Sequence, residues 1–238
     1  TTWGKAVGLP QDQVGNSEVG HQNLGAGKIV FQNALLIDLA IENQTFFENE
    51  ALLKAVDAAK AHNSNIHLIG LVSLGSVHSK LQHVFAILTL LKGAQVPKEK
   101  IKLHLFTDGR DAPPTSSANL IKQMDYKLRA ENLGQIASIC GRYFAMASDN
   151  RWDRIQKAYL CLTGHTTMQA KSAEEAVRES YAAGKTDEFI EPIAILDQEN
   201  KPVGAIGEND VVIFFNYRPD RARQLTYTFV LDDLSKIK

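Results

Sequence analysis

The chain has 238 residues, 44% hydrophobic and 22% charged, with a formal net charge of -1 and a pI near 6.6. That length can bury a substantial core in one or two domains. A near-neutral balance argues against nucleic acid as a partner, while local arginine clusters could still hold small anions.

Residues 1–32 are glycine-rich and show little periodicity. Within them Val14-Gly15-Asn16-Ser17-Glu18-Val19-Gly20-His21-Gln22-Asn23-Leu24-Gly25 holds one serine among glycines, amides, a glutamate and a histidine. No apolar face at helix or strand spacing explains that composition. Gly15 and Gly20 allow a close backbone approach, so a surface turn is expected, with the Ser17 hydroxyl and N–H open to a phosphate or a metal. A serine hydroxyl needs a base or metal to become a nucleophile. From Asn33 the texture changes to alternating elements. Helices are predicted at 34–43 and 49–62, a doubly covered strand at Ile66–Val72, and an apolar helix at 79–93. A strand at 101–106 precedes the Pro113-Pro114 break and a helix at 116–131 capped by Thr115 or Ser116. A strand at 136–140 follows, then helices at 154–163 and 173–183, the latter with Ser172 and Glu175 as a capping box and Gly184 as its stop. One or two short strands are predicted within 189–196, a buried strand at 211–215, and a final helix opened by Pro219. Strand–helix alternation implies an α/β fold, a mostly parallel sheet with helices on both faces.

Cys140 and Cys161 lie in apolar runs and read as buried free thiols of a reducing compartment. There is no membrane-length apolar run and no leader pattern, so a cytoplasmic protein without a membrane partner is expected. The absence of an opening methionine reads as an excerpt of a longer protein.

In such a sheet ligands sit beyond the carboxyl ends of the strands. Those ends offer Ser73-Leu74-Gly75-Ser76-Val77-His78-Ser79, Thr107-Asp108-Gly109-Arg110-Asp111, Gly141-Arg142-Tyr143 and Asn216-Tyr217-Arg218-Pro219-Asp220-Arg221. Arginine forks fit carboxylate and phosphate bidentately, and Asp111 and His78 are candidates for proton transfer. Taken singly each has a plainer reading. Arg110 can be a salt-bridged loop residue, Arg142 a partner of Asp149 or Asp153, Arg218 and Arg221 solvated first-turn residues, and His78 a cap or surface group. Recurrence after separate strands favours a site.

Gly8-Leu9-Pro10, the Gly15 to Gly27 wording, Phe106-Thr107-Asp108-Gly109-Arg110-Asp111, Gly141-Arg142-Tyr143-Phe144-Ala145-Met146, Arg151-Trp152-Asp153-Arg154 and the Arg218/Arg221 segment together resemble the cofactor-independent phosphoglycerate mutases. The resemblance implies that Ser17 carries the phosphoryl group and ligates one of two manganese ions. It further implies that His78, Arg110, Asp111, Arg142, Arg218 and Arg221 hold 3-phosphoglycerate, with Asp111 moving a proton. By the same resemblance residues 1–32 belong to a split phosphatase domain and 33–238 to the phosphotransferase domain. The expected reaction interconverts 3-phosphoglycerate and 2-phosphoglycerate through a phosphoserine, in a monomer acting on a small molecule.

The chain departs from the family wording. Leu74, Ser76 and Lys80 replace an aspartate, a glycine and a histidine in the loop ending at Lys80. Ala147 and Ser148 replace Asp-Arg, so the role of that arginine is not carried over. The arms of the phosphatase domain that hold the remaining metal ligands have no counterpart here, and turnover by this stretch alone is not expected. A non-catalytic phosphoglycerate-binding module is the alternative. A phosphopentomutase-like transferase is disfavoured, because the arginines suit a small acid bearing both phosphate and carboxylate.

Overall fold

The computed structural model describes residues 2–11 and 13–233. It divides into two compact units, Thr1–Leu53 and Lys54–Lys238.

In the first unit the serine stretch is a helix, α1 (Ser17–Ala26), and the expected surface turn is corrected. Asn16 Oδ1 accepts from Val19 N at 3.1 Å and caps it, and Gly27 at φ 63° ends it. Val19 is its buried residue, so no apolar stripe existed for periodicity to reveal. Asn23 ties the helix down by donating to Val7 O at 3.0 Å and accepting from Val30 N at 2.7 Å. Next come α2 (Asn33–Glu42) and α3 (Glu50–His62), the latter crossing the divide between the units.

The second unit runs β1 (Ile66–Val72), α4 (Leu81–Gly93), β2 (Ile101–Thr107), α5 (Ser117–Glu131), β3 (Gln135–Gly141), α6 (Arg142–Ala145) and α7 (Trp152–Leu162). It continues with β4 (Gln169–Ala170), α8 (Ala173–Ala182), β5 (Ile193–Ile195), β6 (Val211–Phe214) and α9 (Arg223–Val230). The sheet order is β4-β5-β3-β2-β1-β6. Only β3 with β5 pairs antiparallel; the other neighbours are parallel, as the alternating pattern predicted. Every residue of β1 and β2 is buried, which explains their mainly apolar sequence around His67, Lys102 and His104. Ile69, Leu71, Phe106 and Cys140 form one core with Phe144, Ile155, Ala158, Leu162 and Leu225. Each fully buried leucine or isoleucine contributes about 1.5–3 kcal/mol relative to exposure.

Several predicted details change. The strand at 211–215, expected to be buried, is the half-buried edge strand β6, because among the described residues no strand pairs beyond it. Pro219 does not open α9. Its carbonyl accepts from Ala222 N and Arg223 N at 3.1 and 3.2 Å, making a separate turn before the helix. Ser116 stands at the N-cap position of α5, but its side chain makes no capping bond. Asp187, wholly buried, accepts there from Ser117 N at 2.9 Å and also from the Tyr181 hydroxyl. In α8 Ser172 Oγ accepts from Glu175 N as predicted, but Glu175 reaches back to Lys171 N at 2.6 Å, one residue beyond a capping box. Both cysteines are free and buried, and burial pushes the Cys161 thiol up to about 12.

A polar chain crosses this otherwise apolar sheet. Ser138 Oγ donates to His104 Nδ1 at 2.8 Å, His104 Nε2 lies 2.8 Å from His67 Nδ1, and His67 Nε2 lies 3.0 Å from Asp210 Oδ2. With both rings neutral every link has one proton, running from Ser138 to Asp210. Burial depresses the pKa of both histidines, His104 strongly.

Candidate functional site

The loops after β1 and β2 meet backbone to backbone, and the end of β3 meets the segment that leads into β5. A Cβ on Gly75 would lie 2.4 Å from Asp111 O, and one on Gly141 would lie 2.3 Å from Glu188 O. Glycine at both places is what lets the strand-end residues share one centre.

That centre is Asp108, an aspartate for which the strand-end pattern predicted no role. It is 1% exposed, and its Oδ1 accepts from Arg110 N at 3.1 Å and Asp111 N at 3.0 Å, fixing the turn after β2. Its Oδ2 accepts from Ser73 Oγ. Burial alone would raise its pKa, but the bonds from Ser73, Asp111 N and Arg142 outweigh it and hold the carboxyl below its ordinary value. The signal was an Asp-Gly pair straight after a strand, where a carboxylate bonds its own turn.

Arg142, 4% exposed at the start of α6, donates through Nη1 to Asp108 Oδ1 and Asp111 Oδ2, both at 2.6 Å. Its expected alternative partners, Asp149 or Asp153, are not used. Asp153 is held by Arg151 at 3.1 Å on the surface. Arg142 Nη2 lies 3.0 Å from His78 Nε2. Arginine always donates, so Nε2 accepts and the His78 proton sits on Nδ1, which is buried without a partner. Burial, reinforced by Arg142, lowers the His78 pKa and keeps the ring neutral. Asp111 Oδ2 stands 3.7 Å from His78 Nε2, and its side chain is 25% exposed.

Arg110, Arg142 and Arg221 line a cavity of about 170 Å³ with Tyr143, Ser148, Arg154 and Glu188. Arg110 is exposed, with Glu188 4.0 Å away, and Arg221 Nη1 reaches Met146 O at 3.4 Å. His78 and Asp111 join this group through Arg142. Arg218 is not among the lining residues. It is an exposed residue paired with Asp220 at 3.0 Å, although its charge is felt by His78. Four arginines therefore meet in the cavity wall, with Arg154 in place of Arg218. Ser76 sits at φ 47°, the left-handed region that glycine occupies at little cost.

Ser17 is the exposed first residue of α1. His21 Nδ1 donates to Ser17 O at 2.6 Å, so that nitrogen carries a proton and cannot act as base for Oγ, 3.3 Å away. Among the described residues no group of three or more histidine, cysteine, aspartate or glutamate side chains could hold a metal. These residues by themselves do not fit a metal centre. Among the described residues no helix is long and apolar enough to cross a membrane.

Residues 37–238 match the family described as BPG-independent PGAM N-terminus. The chain is 48% identical over 231 residues to 2,3-bisphosphoglycerate-independent phosphoglycerate mutase 1 of Methanosarcina barkeri, covering 97% of the chain and 44% of that relative. It is 49% identical over 227 residues to the corresponding mutase of Moorella thermoacetica, covering 95% of the chain and 44% of that relative. The structure of Leishmania mexicana phosphoglycerate mutase at low cobalt concentration superposes with a TM-score of 0.88 at 33% identity. That match covers 99% of the chain and 44% of the other. The chain spans less than half the length of these relatives.

Proposed function

Since the chain belongs to the 2,3-bisphosphoglycerate-independent phosphoglycerate mutase family by its match to the family's N-terminal region, we propose that it supplies two parts of the conversion of 3-phosphoglycerate to 2-phosphoglycerate. These are the anion clamp and the phosphoryl-accepting serine. The observation that carries the reading is the meeting of Arg110, Arg142 and Arg221 in one strand-end cavity.

In this reading Arg110 and Arg221 hold the anionic groups of the substrate. Arg142 is spent on Asp108 and Asp111 and positions them together with His78. The phosphoryl group leaves the substrate oxygen for Ser17 Oγ, the serine proton passes to solvent, and the freed glycerate oxygen takes a proton from solvent by way of Asp111. The second half reverses these steps on the neighbouring hydroxyl, with Asp111 receiving its proton. A divalent metal, manganese by family resemblance, would polarise the phosphoryl oxygens and the serine. The described residues by themselves do not form that centre. Residues 1–32 are assigned to the phosphatase side and 33–238 to the phosphotransferase side. The same reading makes the whole protein a cytoplasmic monomer working on a small molecule.

One observation favours a non-catalytic phosphoglycerate-binding module instead, namely the lack of a metal-ligating group among the described residues. Phosphorus NMR tests the clamp and the need for further metal ligands. The chain should shift and broaden the 3-phosphoglycerate resonance. After incubation with manganese and quenching, it should yield no 2-phosphoglycerate. An unmoved resonance would overturn the clamp, and substantial 2-phosphoglycerate would overturn the need for metal ligands beyond these residues.

A further inference from the structure

Arg154 lines the arginine cavity from α7, and nothing in the family resemblance gives it a role. We propose that Arg154 is a substrate-binding arginine of this site, supplying the guanidinium that the short Ser148 cannot. This rests on the phosphoglycerate reading above.

Its guanidinium carbon lies 3.8 Å from the centre of the Tyr143 ring. Tyr143 is itself wedged against Phe189 at 5.0 Å and edge-on to Phe144 at 5.2 Å, so the platform under the arginine is held from two sides. Stacking on an aromatic face leaves the in-plane N–H groups free to donate. Nε is buried with no partner, and a buried donor left unmade is costly until an acceptor arrives. Of the nearby carboxylates Asp153 pairs with Arg151, Glu191 with Lys157, and Glu188 stands 4.0 Å from Arg110, while Asp149 lines the same cavity without an ion pair to Arg154. Arg142, by contrast, already satisfies two carboxylates. The positive charge of Arg154 is therefore available to a ligand where that of Arg142 is largely neutralised. Ser148 is exposed on the same wall and leaves room for an anionic group. Arg154 also borders a second, larger cavity of about 640 Å³ with Tyr143 and Lys157, so a ligand can approach it from either side.

The test is calorimetric titration of the full chain with 3-phosphoglycerate. R154Q should weaken binding roughly tenfold or more, and R154K, which keeps the charge but loses the fork, should fall between. Ser148→Arg should restore more affinity in R154Q than it adds to the wild type, where two guanidinium groups would compete. Wild-type affinity in both R154Q and R154K, alongside weakened binding by Arg221→Gln, would overturn the role of Arg154 and leave the clamp standing. Failure of the wild-type chain to bind would overturn the clamp and this inference with it. A melting temperature for each variant separates lost binding from lost folding. If R154Q melts early, wild-type affinity in R154K is by itself the overturning result.

Discussion

Asp108→Ala is expected to destabilise the second unit by about 3–5 kcal/mol, because it strands a buried cation. Arg142 is 4% exposed and keeps only Asp111 as a carboxylate partner once Asp108 is gone. The substitution also removes the acceptor for Arg110 N, Asp111 N and Ser73 Oγ, so the turn after β2 loses its internal tether. Asp108→Asn keeps the shape and an acceptor but not the charge, and should lose less. Urea unfolding of the three proteins measures this. A cost below about 1 kcal/mol for Asp108→Ala, the range of exposed ion pairs, would show that solvent reaches Arg142.

Stability should also fall as pH drops below about 6.5, well before carboxylates titrate. The sign follows from the buried histidines. His67 and His104 have pKa values lowered by burial in the folded chain, so between folded and unfolded values the unfolded state binds more protons. Their stabilisation is complete above the unfolded value and is lost as pH falls toward the folded ones. The chain from Ser138 to Asp210 can take one proton by reversing the His104–Ser138 bond. A second would place two N–H groups against each other across 2.8 Å. The slope should be about 1.4 to 2.7 kcal/mol per pH unit, one or two protons' worth. His78 adds in the same direction. Denaturant titrations from pH 7.5 to 5 check this, and a flat profile would mean that the relay is already charged or open to water.

The sheet was legible because burial on both faces leaves mainly apolar runs, and β1 emerged with the ends that its sequence predicts. The serine helix was not, since Asn16 and Gly27 make α1 by capping and Val19 alone is its buried residue. Strand ends pointed to His78, Asp111 and the arginines, because topology alone brings such ends to one edge. What sequence could not give was which partners the buried charged groups take. Asp187 reaches Ser117 across 70 positions, and Arg142 chooses Asp108 over the nearer Asp149 and Asp153. Arg218 and Arg154 differ in the same way. Arg218 follows β6 but turns to Asp220 at the surface, whereas Arg154 lies on a helix and still lines the cavity. Ser76 is legible only in retrospect, as a serine held at the left-handed φ where the family wording has glycine.

If Arg110 and Arg221 face a phosphorylated small acid, titration of the chain with 3-phosphoglycerate, glycerate and inorganic phosphate in turn should rank the three. 3-Phosphoglycerate should bind more tightly than either fragment, its affinity should fall as salt is added, and Arg221→Gln should weaken it by roughly tenfold. Equal affinity for 3-phosphoglycerate and phosphate, or an Arg221→Gln variant that binds like the wild type, would contradict that placement.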